Sequence, residues 1–243
     1  MIPLSSRTVA IDDLTDDEKS RMFELFGAAY DCVSEPRFRD DLAWKDEVIL
    51  LVDACDVIQG FTTLAFNPKG FRHELGDLLF SGDTIIDPAH WGSSELVRAF
   101  CERAGRWRAH HERRLFWMLI SKGHRTFLFL PLYAKRFHPN PSSNENEFRE
   151  VATTAARHLF AEAWCAADGV IRFPEAIGQL KPELADGSHR REGKRMVRFF
   201  LERNPGFAHG DELVCLTELS PSNLKRAALG GYLQGSCTKA GHS

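Results

Sequence analysis

At 243 residues the chain is long enough for one large domain with its own core, and 43% hydrophobic with 27% charged residues is ordinary for a soluble globular protein. A net charge of −3 leaves no Lys/Arg surplus to neutralise phosphates, so no nucleic acid is expected as a partner. No stretch approaches the roughly 18 apolar residues that cross a bilayer, and the first residues lack a basic start followed by an apolar run, so no membrane is expected and the cytoplasm is the expected compartment.

In chain order, residues 8–14 read as an edge strand. Thr15 with Glu18 three residues on forms a capping-box pattern. The helix it starts runs from 16 to about 30, with Met22, Phe23, Phe26 and Ala29 on one face. Residues 34–45 are polar and aromatic, anchored by Phe38, Leu42 and Trp44. Two strands, 47–53 and 57–66, lie close enough to form an antiparallel hairpin. A third strand, 78–86, carries Ser81-Gly82-Asp83 in its middle, and glycine there marks a bulge or a close backbone approach. Ser93 or Ser94 caps a helix to about 111 that has Leu96, Phe100, Ala104 and Trp107 on one face. Residues 114–121 are apolar on both faces, as a covered central strand must be. Strand, helix and strand together imply a parallel unit. Beyond it come an aromatic, partly helical segment at 124–137 interrupted by Pro131, a linker at 140–146, a helix at 147–167 and a short strand at 169–173. A polar loop at 175–195, a short helix at 196–202, a last strand at 211–219 and a frayed Gly/Ser/Lys tail after 230 complete the reading.

Several groups could carry chemistry. The turn at 87–95 leads from a strand end into a helix start, whose unpaired N–H groups and positive dipole end suit a pyrophosphate. Gly92, Ser93 and Ser94 are small enough to let one approach, although any capped turn of this kind looks the same. The arginines at 103–114 and 190–195 read as solvated faces. The six cysteines form no C-x-x-C pair and mostly read as small buried hydrophobes. The histidines (His73, His90, His110, His111, His124, His138) show no metal-ligand spacing and are expected at the surface, with no metal. No G-x-S-x-G nucleophile motif occurs.

The order of elements resembles the GNAT superfamily of N-acetyltransferases over roughly residues 7–140. The carrying residues are Val48-Ile49-Leu50-Leu51-Val52, Ile58-Gln59-Gly60-Phe61-Thr62-Thr63-Leu64, Ile85-Ile86-Asp87-Pro88-Ala89-His90-Trp91-Gly92, and the segment with Tyr133 and Phe137. Gly60-Phe61 is similar to the family's Gly-aromatic pair. The Ile86-Asp87-Pro88 turn with Gly92 is similar to its pyrophosphate loop, although Ala89 replaces the family's Gln or Arg and Ser94 its second Gly.

The resemblance implies an α/β (α+β) fold, a mixed central sheet flanked by helices with a C-terminal helical insertion or extension. It implies a single domain with a core at 7–140, an insertion or extension at 141–210, a late strand at 211–219 and a flexible tail at 230–243. It implies a fourth strand that is bulged and splayed from the fifth, with a pantetheine arm in the gap. The co-substrate would be acetyl-CoA or another acyl-CoA. The backbone of Gly92, Ser93 and Ser94 would hold its pyrophosphate, and that of Ile85 and Ile86 its pantetheine. Asp83 would act as base toward a small-molecule amine and Tyr133 as acid toward the departing thiolate. The aromatic run from Trp117 to Phe137 suggests an apolar acyl or acceptor pocket. Residues 141–205 read as a lid over the acceptor or the arm of a homodimer. The alternatives are a catalytically silent GNAT-like module that binds a ligand or partner, and an acyl-carrier-protein-dependent enzyme resembling acyl-homoserine-lactone synthases.

Overall fold

The computed structural model describes residues 3–143, 145–173, 178–189 and 193–237. β1 (Ser5–Ala10) comes earlier than the expected 8–14, because a 3-10 turn at Ile11–Asp13 ends it. Thr15 then caps α1 (Asp16–Ala29) through a reciprocal pair. Its hydroxyl accepts from the Glu18 N–H at 3.2 Å, and the Glu18 carboxylate accepts from the Thr15 N–H at 2.8 Å. After β2 (Tyr30–Asp31) comes α2 (Glu35–Leu42), a helix that the segment's charge had concealed. Pro36 fits its first turn, and Phe38 and Leu42 are buried.

β3 (Glu47–Val52) and β4 (Ile58–Phe66) form the expected hairpin. β5 (Asp77–Ile86), α3 (Glu95–His110) and β6 (Leu115–Ser121) form the expected parallel unit. Next come α4 (His124–Phe127), α5 (Phe129–Tyr133), which contains Pro131, β7 (Phe137–His138) and α6 (Asn146–Phe160). α6 stops short of the expected 167, where Ala161 turns to a φ of 30° and a 3-10 turn takes over. β8 (Trp164–Cys165) and β9 (Val170–Ile171) follow. The expected loop at 175–195 contains β10 (Gln179–Leu180), which pairs with β2, and α7 (Pro182–His189); 175–177 and 190–192 lie outside the described residues. α8 (Arg195–Arg203), β11 (Glu212–Glu218) and α9 (Arg226–Ser236) complete the chain.

The main sheet runs β1-β3-β4-β5-β6-β11-β9-β8, with β7 also on β11. Only β5 and β6 are parallel among its described pairings. Strand alternation sends Ile49, Leu51, Leu79, Leu115 and Trp117 to one face, under α3, α5 and α9. Val48, Leu50, Phe80, Phe116 and Met118 go to the other, under α1, α2 and α6.

Residues 230–236 correct the expectation of a frayed tail; 238–243 lie outside the described residues. α9 docks on α3 because glycine lets the two backbones touch. A Cβ on Gly231 would lie 2.6 Å from the Arg98 carbonyl oxygen, and one on Gly105 or Gly235 would collide with the carbonyl of Tyr232 or Glu102. Tyr232 is buried against this contact. Of the six cysteines Cys101 and Cys215 are buried while Cys32, Cys55 and Cys237 are exposed, against the expectation that most are buried, and His90 and His124 are buried against the surface expectation. Among the described residues no helix is long and apolar enough to cross a membrane.

Candidate functional site

β5 and β6 pair from Asp77↔Leu115 to Ser81↔Leu119 and then part, while β5 stays on β4 through Ile86. A gap therefore opens in the sheet beyond Ser81. On the β4 side Thr62 faces Thr84 and Leu64 faces Ser81, so Gly82 and Asp83 together oppose Thr63. This is a β-bulge, as the glycine suggested. A Cβ on Gly82 would lie 2.6 Å from Thr63 Oγ1 and 2.9 Å from Lys45 Cε.

On the α1/α2 side of the gap is a cavity of about 480 Å³. Two series of touching rings line it. Trp44 stacks on Phe80 at 5.5 Å, Phe80 meets Phe160 at 5.8 Å and Phe160 meets Phe173 at 6.4 Å. Phe26 bridges Tyr30 at 4.9 Å and Phe38 at 5.4 Å. The large aromatic pocket therefore comes from residues 26–80 together with 160 and 173, and not from the run Trp117 to Phe137. Phe160 and Phe173 bring the 141–205 segment into this wall.

Charge in the cavity is organised around Asp83. Lys45 Nζ donates to Asp41 at 2.6 Å with its side chain 1% exposed, and Lys122 lies 3.4 Å from Glu212. Among the described residues the Asp83 carboxylate has no hydrogen bond or ion pair. Burial pushes its carboxyl up to about 7, helped by the negative charge of Asp41 and opposed by Lys45 and Lys122. Burial also pushes Glu212 up despite Lys122, and raises the Tyr30 phenol with help from Asp83. Asp41, Lys45, Lys122 and Glu212 carried no motif. Lys45 and Lys122 flank buried strands, which is the one signal that could have marked them.

Tyr133 lies on the other side of the gap. It lines a cleft of only about 30 Å³ with Ser81, Phe100, Trp117 and Phe129. Ser81 Oγ accepts from Trp117 Nε1 at 2.8 Å, and burial raises the Tyr133 phenol. Thr84 and Thr126 line both spaces, so the two meet at the gap. Asp83 lines the larger of these spaces and Tyr133 the smaller.

The turn into α3 is less open than its sequence suggested. Gly92 takes a φ of 96°, which glycine allows. The Ser93 N–H donates to the His90 carbonyl at 3.2 Å, and the Ser93 hydroxyl, not that of Ser94, accepts from the Glu95 N–H at 3.2 Å. The Glu95 carboxylate occupies the first helical turn, taking Ser6 Oγ at 2.6 Å and Arg98 Nη2 at 2.7 Å. The Asp87 N–H bond to the Gln59 carbonyl sets the ladder's phase, so the backbone of Ile85 is directed at Phe61 and that of Ile86 at the gap. The Ile86 carbonyl already accepts from Trp91 Nε1 at 2.8 Å, and Arg125 stacks over Trp91 at 3.8 Å.

The bulged strand, the gap after a parallel pair, and the strand order define a GNAT-like α/β fold. No family model and no curated protein matches the chain. Among solved structures, the NatC complex bound to Gag peptide and CoA aligns at 14% identity and a TM-score of 0.41, over 54% of this chain and 86% of that one. A probable N-acyltransferase from Enterococcus faecalis aligns at 12% and 0.39, over 55% of this chain and 33% of its own, so the likeness spans about a third of that protein. A GNAT family N-acetyltransferase from Escherichia coli in complex with CoA aligns at 10% and 0.35, over 52% and 67%. Likenesses this distant carry nothing about this chain's chemistry.

Proposed function

We propose that the chain is a divergent GNAT-like N-acyltransferase that moves an acyl group from an acyl thioester to a small amine. The observation that supports this best is the gap itself, a carboxylate at one side and a phenol at the other. The amine occupies the large cavity and attacks the thioester carbonyl at the gap. A C–N bond forms and the C–S bond breaks. The amine proton goes to Asp83, whose raised carboxyl suits a base working near neutral pH. The electron pair leaves on the thiolate, which takes a proton from Tyr133. Acyl-CoA is the proposed donor, with pantetheine against the gap-facing backbone of β5 and pyrophosphate near Gly92 and Ser94. Six unpaired cysteines support a reducing compartment, and we assign the cytoplasm.

Two observations favour a second reading, a silent ligand-binding module. The donor side holds about 30 Å³, a tenth of what ligand pockets of roughly 300 Å³ or more offer, and Glu95 places a carboxylate where a pyrophosphate would lie. Calorimetry and thermal shift with acetyl-CoA, coenzyme A and acylated carrier protein decide. Binding of either acyl donor together with amine-dependent loss of the thioester supports the transferase. Absence of binding by all of them at millimolar concentration (carrier protein at its highest soluble concentration) supports the module.

A further inference from the structure

The cavity on the α1/α2 side has features that restrict its ligand beyond "an amine". Its walls are rings, from Trp44, Phe80, Phe160 and Phe173 on one part and Phe26 and Phe38 on another. Ring walls reward a flat apolar body, which gains area burial and offset or edge contacts together. Its charges are mostly spent internally. Asp41 holds Lys45 and Glu212 holds Lys122, Arg37 and Asp40 also line the cavity, and Asp83, with no hydrogen bond or ion pair among the described residues, is placed to meet a cation from outside. The two lysines are nearly buried, with 1% and 12% side-chain exposure, and Asp41 and Glu212 offset their charges.

We propose that this cavity is a site for a monoamine with an aromatic body, its ammonium on Asp83 and its ring against the aromatic walls, and that a polyamine, which has no ring to set against those walls, binds less tightly. The assignment rests on the transferase reading only in calling this ligand the acyl acceptor. The volume of about 480 Å³ accommodates a one- or two-ring amine.

The test is calorimetry on the full chain at pH 8, without any acyl donor, using phenethylamine and spermidine as probes. Phenethylamine is expected to bind one to one and at least tenfold more tightly than spermidine, and Asp83→Asn is expected to weaken it at least tenfold. Spermidine binding as tightly as phenethylamine, or an unchanged phenethylamine affinity in Asp83→Asn, overturns the proposal. Phe173→Ala, at a half-buried wall position, is the second variant. It is expected to weaken phenethylamine several-fold and leave spermidine unchanged, and an unchanged phenethylamine affinity again counts against the proposal. Because no thioester takes part, phenethylamine binding without turnover upholds this assignment while removing the transferase reading. Turnover of spermidine without phenethylamine binding does the reverse.

Discussion

Phe80 and Asp83 project from the same face of β5 although they stand three positions apart, where an unbroken strand would send them to opposite faces. The bulge at Gly82-Asp83 accounts for this. It inserts one residue opposite Thr63, so Ser81 reaches Trp117 on the α3 side while Asp83 turns back to the aromatic cavity. The carboxylate is thus placed by backbone register.

Gly82 is expected to be intolerant of a side chain. Thr63 Oγ1 lies 2.6 Å from the position of a new Cβ and is itself buried without a hydrogen-bond partner. Gly82→Ala should cost about 1–3 kcal/mol and reduce turnover. Thr63→Ala alone should be mild, and in the double variant it should recover part of the loss. Denaturant unfolding of the four proteins checks this.

Asp83→Asn separates stability from activity by pH. The Asp83 carboxyl is raised from 3.8 to about 7, so the folded chain holds this proton more tightly than the unfolded chain. Its contribution to stability is complete below pH 3.8 and is lost as pH rises through about 7. Wild type should therefore lose stability relative to Asp83→Asn across that window, in unfolding curves measured from pH 4 to 8. Wild-type kcat/KM should rise through about pH 7, and the variant should fall roughly 100-fold. The groups that set this titration are Asp41, Lys45, Lys122 and Glu212.

The Lys122–Glu212 pair ties β6 to β11 beneath the cavity, with side chains 12% and 9% exposed. Lys122→Met leaves Glu212 buried without its cation and should cost about 3–5 kcal/mol. Adding Glu212→Gln removes the stranded charge and should recover much of that. A double-mutant cycle by chemical denaturation measures the coupling.

The α3–α9 contact should be equally strict. Gly235→Val drives a branched side chain into the Glu102 carbonyl and should cost about 3 kcal/mol or more. Hydrogen exchange should then rise along α9 and the outer face of α3, and stay low in β3 and β4.

The hairpin, the parallel unit, the capping box and the bulge were legible because each has a local cause: short apolar runs, Thr15 with Glu18, and Gly82 in an apolar strand. What failed depended on tertiary contact. The glycines of α9 read as fraying, yet Gly231 and Gly235 are what allow close docking on α3. α2 was hidden by its charges, since only Phe38 and Leu42 face the core. Of the residues that line the two spaces, Asp83 and Tyr133 had been singled out from the chain. The ion pairs around Asp83 join Lys122 to Glu212, 90 positions apart, as well as the neighbours Asp41 and Lys45, and the cavity's outer rings come from 160 and 173. No local pattern records such meetings. The turn at Gly92–Ser94 looked open because nothing in its own sequence shows that the N–H of Ser93 is occupied.

Acyl transfer across the β5–β6 gap leaves an N-acylated amine, which mass spectrometry detects. Wild type is incubated with phenethylamine and either acetyl-CoA or an acylated carrier protein, beside Asp83→Asn and Tyr133→Phe. Wild type is expected to give an N-acylated amine and one free thiol per product, with both variants strongly slowed. No acylated amine from wild type with either donor, or full turnover in both variants, would contradict it.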